Sequence, residues 1–557
     1  MSVRSALSQP LSLALGALLA LSGCGTDGSG PEGPPPGSLL IMAEWLKTVT
    51  RTLAADECEG RGPSSAGEEK TVAYLSEQFA AAGLEPGNSG SWTQDVPLVA
   101  ITVTTAPVLE VSTGETARPL SWQSDYVAWT KRVVPSVSVD ASELVFVGYG
   151  IVAPEYGWND YEGVDVAGKT VLILVNDPGY ATQDDEVFNG NAMTYYGRWT
   201  YKFEEAARQG ATGALIVHET GAAGYPWDVV ESSWTGPQFG LAAPDDNMGR
   251  VEFEGWVTGE RATEIVAASG QDLSALTTAA ARPGFEAVSL GSTVSLAFQN
   301  EVARSASKNV VGVLPGTTRP EEYVVYMAHW DHFGMGPETL EDRIYNGAFD
   351  NATGTASLVE AARAFAGAGV PLERSLMFLA VTAEEQGLLG SAHYAANPIV
   401  PTSQTVAAIN MDGMLVTGPT HDITVVGYGN SELDDLLSAA AATTNRTLVP
   451  DPEPEKGYFY RSDHFPFSKV GIPSLYTDGG VDDVEHGAEW GLAQREDYVA
   501  NRYHTPADEF DEAWSLGGAV ADLRLLYTLG YELVQSDAWP NWREGNEFKA
   551  ARDADRP

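Results

Sequence analysis

The chain has 557 residues, 43% of them hydrophobic, and its 76 acidic against 32 basic side chains give a formal charge of −44. That length leaves room for two or more domains and a large core. A surface so acidic repels phosphate backbones and argues against a nucleic-acid partner; its plain reading is a solvated, secreted surface.

Residues 1–24 read as an export signal. Arg4 supplies a weakly positive start and Leu11 to Leu21 a short apolar stretch. That stretch is too short for an ordinary membrane span. It ends in Leu21-Ser22-Gly23-Cys24, which resembles a bacterial lipobox, implying lipid on Cys24 and a mature chain anchored at the cell envelope or secreted. Gly25 lacks the aspartate associated with inner-membrane retention, so the outer membrane is preferred. Residues 25–38 are rich in Gly, Pro and Ser and suit a flexible tether. The one other cysteine is Cys58, so a lipidated Cys24 leaves no pair for a disulfide.

Residues 39–135 begin with a helical pattern to about Ala82, interrupted by the polar turn Asp56 to Gly62. Gly83 suits a helix C-cap, and Trp92 to Val111 alternates as strands do. Between 136 and 295 the character changes to short strands (Glu143 to Val147, Lys169 to Val175, Ala211 to His218) around a helix from Lys202. This stretch shows no paired ligand residues and reads as a compact inserted module; its lone His218, closing a strand, reads as structural.

Residues 296–557 carry the chemistry. Tyr323 to Ala328 is an apolar run typical of a buried strand, followed at once by His329, Trp330, Asp331 and His332. Ser375 to Thr382 runs into Glu384-Glu385, and Val406 to Met411 into Asp412. Three strands thus each deliver a metal-type ligand at the carboxyl end, where open α/β sheets build their sites. Asp350 precedes a helical pattern, and His504 follows near the end of the chain. Imidazoles and carboxylates are the ligands zinc takes without thiolates. Two histidines and three carboxylates suit two metals sharing one bridging carboxylate and holding a hydroxide between them. The Glu384-Glu385 pair then offers one ligand and one general base. Asp331 is placed to orient the His329 imidazole or a metal-bound group, Asp508 to do the same near His504. His332 competes with His329, which is preferred because it comes first after the strand.

Ala328-His329-Trp330-Asp331-His332, Gly347-Ala348-Phe349-Asp350-Asn351, Thr382-Ala383-Glu384-Glu385-Gln386-Gly387, Asn410-Met411-Asp412 and Tyr503-His504 resemble, in order, the five blocks of the co-catalytic di-zinc aminopeptidases. That group includes glutamate carboxypeptidase and the transferrin-receptor ectodomain. Arg461-Ser462-Asp463-His464 with Gly471-Ile472-Pro473 resembles it too, and residues 136–295 resemble the protease-associated domain often inserted in these enzymes. The resemblance implies two Zn2+ ions bridged by Asp350, with His329 and Asp412 on one and Glu385 and His504 on the other. It also implies Glu384 as general base and Tyr503 near the oxyanion. The expected fold is α/β: a mixed, centrally parallel sheet sandwiched by helices, with a smaller β-rich insertion. The expected activity is release of N-terminal residues from peptides. Alternatives on the same site are a carboxypeptidase or dipeptidase, for which Arg343 and Arg461 are the nearby basic candidates, and a glutaminyl cyclase. A non-catalytic ectodomain would have lost ligands that this chain retains. The residues from Gly334 to Arg343 lengthen the His329–Asp350 interval and are expected to form a loop at the site rim.

Overall fold

The computed structural model describes residues 33–556. The signal segment, Cys24 and the tether up to residue 32 lie outside the described residues.

The main sheet places four parallel strands at its centre: Ser474–Gly479, Thr405–Asn410, Arg319–His329 and Arg374–Val381. Asp422–Val426 adds antiparallel to Ser474–Gly479. On the other side Val288–Leu314 adds antiparallel to Arg374–Val381, and Thr93–Val103 follows. The central strands are apolar without alternation because both faces are covered. Side chains still point to opposite faces in turn. Val324, Tyr326 and Ala328 meet the helices Ala43–Leu53, Ala66–Ala82, Gly354–Gly367 and Gly517–Gln535. Val325 and Met327 meet Tyr394 and Phe467 from the helices Leu389–Ala396 and His464–Lys469. One contact is tight enough to demand glycine: a Cβ on Gly530 would fall 1.8 Å from the Tyr326 hydroxyl, which donates to Leu526 O at 2.7 Å.

Val288–Leu314 is 27 residues long and serves two sheets. Its second half pairs with Thr93–Val103 in the main sheet, and its first half pairs with Val108–Thr113 and Ser136–Phe146 in a second sheet. The second sheet also contains Tyr126–Trp129, paired with Phe253–Thr258. The boundary read at 136 therefore falls inside this second unit: the strands between 108 and 129 already belong to its sheet. Their alternation is common to any half-buried strand and gives no sign of which sheet they join. Nor is the unit merely β-rich. Ser136–Phe146, Thr170–Leu174, Gly213–His218 and Phe253–Thr258 run parallel, with helices Trp199–Arg208 and Gly259–Ala268 packed on them. His218 is 6% exposed and its Nε2 lies 3.0 Å from Tyr225 O, a structural role.

The end of the tether is part of the fold. The Tyr527 hydroxyl donates to Pro36 O at 2.6 Å, and Ser38 is buried. Among the described residues no helix is long and apolar enough to cross a membrane.

Candidate metal centre

Strand register assembles the site. His329 pairs with Val381 and Met327 with Asn410, so three adjacent parallel strands end at one level. Glu384, Glu385 and Asp412 leave from those ends. Asp350 comes from an irregular turn, Ala348–Thr353, that enters the helix Gly354–Gly367. Asn351 locks this turn to the neighbouring strand end: its Nδ2 donates to Met411 O at 3.1 Å and its Oδ1 accepts from Gly354 N and Gly413 N at 3.0 Å each.

The six residues expected from the sequence converge. His329 Nε2 lies 3.2 Å from both Asp350 Oδ1 and Asp412 Oδ1, and 4.0 Å from Glu384 Oε2. His504 Nε2 lies 3.3 Å from Asp350 Oδ2 and 3.3 Å from Glu385 Oε2. Asp350 thus faces a different imidazole with each oxygen. His332, the competitor, does not displace His329. It sits on the other side of Glu385, Nδ1 at 2.5 Å from Oε1, and is fully enclosed. Two imidazoles therefore flank Glu385, of which His504 is the one that opens to the cleft.

This donor set fits a metal. His329, Asp350 and Asp412 bring their ligand atoms within 4.8 Å of one another, and so do His332, Asp350 and Glu385. Among the described residues the ion-pair partners of Asp350, Glu384, Glu385 and Asp412 are histidines only, with no Lys or Arg. Four carboxylates gathered in an enclosed place without a fixed cation are unstable unless protonated or bound to a positive ion. Burial pushes both Glu384 and Glu385 well above the ordinary range, with neighbouring carboxylates adding to it. Burial pushes Asp350 the same way, but its bonds to His329 and His504 more than offset that and hold it well below.

Two supporting roles differ from the expectation. Asp331 meets the His329 ring through its main-chain oxygen, 3.2 Å from Nδ1, whereas its carboxylate is 3.9 Å away and accepts from Glu384 N at 3.1 Å. It positions Glu384 as much as His329, because the chain turns sharply after His329. Asp508 does not support His504. It accepts from Phe349 N and Asp350 N, each at 3.0 Å, and fixes the turn that carries Asp350. Tyr503 stacks on His504 with ring centroids 3.7 Å apart and is 45% exposed at the cleft rim. Burial, and then Asp350 and Glu385, push its phenol above the ordinary range. The segment from Gly334 to Tyr345 forms a small antiparallel ribbon, and Phe333 ahead of it packs edge-on to His504 at 4.8 Å.

Three contributors escaped the sequence reading. Arg61 is 1% exposed and donates to Trp330 O, Leu53 O and Gly347 O at 2.7–2.8 Å and to Asn346 O at 2.5 Å. It ties the His329 and Asp350 segments to the first helix. Its one signal was its place between glycines: a Cβ on Gly60 would lie 2.4 Å from Gly334 O. Ser462 donates to Asp412 Oδ2 and accepts from Asn410 Nδ2 at 2.7 Å, within a segment already singled out. Asn351 follows Asp350 directly.

The site opens on a cleft of about 2510 Å³ between the catalytic part and the second unit, with Trp129, Arg198 and Trp234 on one wall and Asp412, Tyr476 and Tyr503 on the other.

Comparison with known proteins agrees on the catalytic part. Residues 309–528 match Peptidase family M28. Aminopeptidase YwaD of Bacillus subtilis is 27% identical over 226 residues, 39% of this chain and 41% of that protein. Aminopeptidase NAALADL1 of Mus musculus is 33% identical over 139 residues, 23% of this chain and 17% of that protein. These alignments thus span less than half the length of either relative. Among solved structures, an aminopeptidase from Aneurinibacillus sp. strain AM-1 aligns over 90% of this chain and 96% of its own, at 20% identity and a TM-score of 0.49. Residues 309–528, the stretch that matches Peptidase family M28, hold all six residues of this centre.

Proposed function

We propose that the protein is a metal-dependent exopeptidase, an aminopeptidase that releases N-terminal residues from peptides. The observation that carries this is Asp350, whose two oxygens face His329 with Asp412 on one side and His504 with Glu385 on the other, with Glu384 alongside. His329, Asp350 and Asp412 would hold one zinc ion; Asp350, Glu385 and His504 would hold the second. When bound, paired ions supply a polarised carbonyl and a water acidic enough to attack at neutral pH. Glu384 takes the proton of the attacking water and passes it to the leaving amine, and Asp331 fixes its main chain for that transfer. The Tyr503 hydroxyl donates to the oxyanion that develops on the substrate carbonyl. The second unit, read as a protease-associated domain, acts as a lid that restricts the cleft to short peptides. Its removal is expected to relax the peptide-length preference. Lipid on Cys24 would anchor the chain at the cell envelope, which labelling with a fatty-acid analogue tests.

The test uses purified mature protein, its metal content, and aminoacyl-arylamides with free and acetylated N-termini. The reading expects about two zinc ions per chain, from the paired-ion logic, and turnover of free-amine substrates only. Glu384→Ala keeps the metal and loses turnover. Cleavage confined to carboxyl-terminal or cyclising substrates would leave the site and overturn the substrate class.

A further inference from the structure

Just after Pro36 the chain forms an apolar edge that the rest of the described fold leaves open. Leu39 is 66% exposed, Met42 46%, and Leu40 and Trp45 39% each, so four large apolar side chains face solvent between positions 39 and 45. Three of them gather at one place on the helix Gly354–Gly367. Leu40 O accepts from Arg363 Nη2, and the Arg363 guanidinium lies 5.0 Å from the Trp45 ring centroid. Met42 N donates to Glu360 Oε1 at 2.8 Å, while Arg363 Nε donates to the other oxygen of Glu360 at 2.7 Å. Leu39 adjoins Leu40. The edge is held in place: Ile41 is fully buried, and Arg524 donates to Ser38 O at 3.3 Å and to Ile41 O at 2.9 Å.

A contiguous set of exposed apolar side chains marks a surface that meets something other than water. The preceding sequence points to the occupant. Residues 25–32, Gly-Thr-Asp-Gly-Ser-Gly-Pro-Glu, hold no large apolar side chain with which to cover the patch. A stretch of this length reaches at most ~26–29 Å, so lipid on Cys24 keeps the patch close to a bilayer surface. Insertion of the patch is then an intramolecular step, favoured by the high effective concentration a short tether gives. The residue types suit the boundary between headgroups and acyl chains, where tryptophan sits with an arginine stem beside it while leucine and methionine reach further in. The place also leaves the metal centre unobstructed. The patch lies where Ala43–Leu53 begins and Gly354–Gly367 ends, since a Cβ on Gly367 would fall 2.9 Å from Leu40 Cδ1. Asp350 lies just before the other end of that 14-residue helix, which is ~21 Å long.

We propose that Leu39, Leu40, Met42 and Trp45 form a membrane-docking surface that inserts into the lipid layer holding the Cys24 anchor and sets the orientation of the protein on it. The proposal rests on the lipid-anchor reading of Cys24 and adds a second membrane contact to it.

The experiment uses the full lipidated protein on phosphatidylcholine vesicles, with either ordinary acyl chains or chains brominated near the headgroup. Bromine quenches tryptophan emission at close contact, and co-flotation with the vesicles reports the anchor itself. Docking predicts weaker tryptophan emission on the brominated vesicles, and loss of that difference in Trp45→Phe. Leu39→Ser combined with Met42→Ser keeps the reporter and should shift the docked-to-free ratio toward free by about tenfold or more, read as a smaller quenched fraction. Equal emission on the two lipids, with the protein still co-floating, overturns the docking surface alone. So does quenching that Trp45→Phe leaves unchanged. A dimer that Leu39→Ser dissolves, with no quenching, assigns the face to a second copy of the chain and overturns the proposal as well. Protein that does not float with the vesicles removes the anchor reading and the docking surface together.

Discussion

Replacing Arg61 by methionine tests how the site is held. The guanidinium satisfies four carbonyl oxygens: Leu53 O at the end of the first helix, Trp330 O between His329 and Asp331, and Asn346 O and Gly347 O ahead of Asp350. Methionine matches the length of the stem but offers no donor. Each buried acceptor left unpaired costs ~1–3 kcal/mol, so four give a gross loss of roughly 4–12 kcal/mol. Removing a buried cation returns part of this, since burial already pushes the Arg61 guanidinium down. A net loss of about 3–5 kcal/mol is the expected outcome, a large share of a typical 5–15 kcal/mol stability. Arg61→Lys should recover less than half of it, because one ammonium cannot reach acceptors spread over three segments. The assay is urea denaturation of the metal-free protein by near-UV circular dichroism, followed by zinc titration of the folded fraction. A loss below about 1 kcal/mol for Arg61→Met, with zinc affinity intact, would refute the reasoning, since buried acceptors could not then depend on this side chain.

Other outcomes follow from single contacts. Ser462→Ala removes the hydrogen bond to Asp412 Oδ2. Zinc affinity should fall ~10–100-fold by competitive chelation with little change in melting temperature. Gly530→Ala drives a methyl into the Tyr326 hydroxyl and should cost ~1–3 kcal/mol in chemical denaturation. Asp434 is 6% exposed, and burial pushes its carboxyl up to about 6 from the ordinary 3.8. Because the folded-state value is the higher one, stability from this group is present at low pH and is lost as pH rises from about 4 through 6. Asp434→Asn, whose Oδ1 still accepts from Gly429 N, should abolish that decline and add up to ~3 kcal/mol at pH 7, read from melting curves of the metal-free protein across pH 4–7.

What was legible in the sequence was the part written in strand ends. The runs before His329, Glu384 and Asp412 are apolar because parallel central strands are covered on both faces, and the polar residue that breaks each run marks the end where the site forms. Tertiary contacts that depend on distant segments were not legible. Arg61 reads as part of a polar turn because nothing local reveals that its acceptors lie 269 and 286 positions away, at Trp330 and Gly347. Asp508 sits four residues from His504 yet serves Asp350, since the chain folds back between them. The strands between 108 and 129 look alike whichever sheet they enter, and so the edge of the second unit was set too late.

The measurement closest to the central claim is anomalous diffraction at the zinc edge from crystals of the wild-type protein grown with zinc. Paired-ion catalysis predicts two peaks roughly 3.5–4 Å apart, both in contact with Asp350, one also with His329 and Asp412 and the other with Glu385 and His504. A single peak, or two peaks of which either fails to touch Asp350, would contradict it.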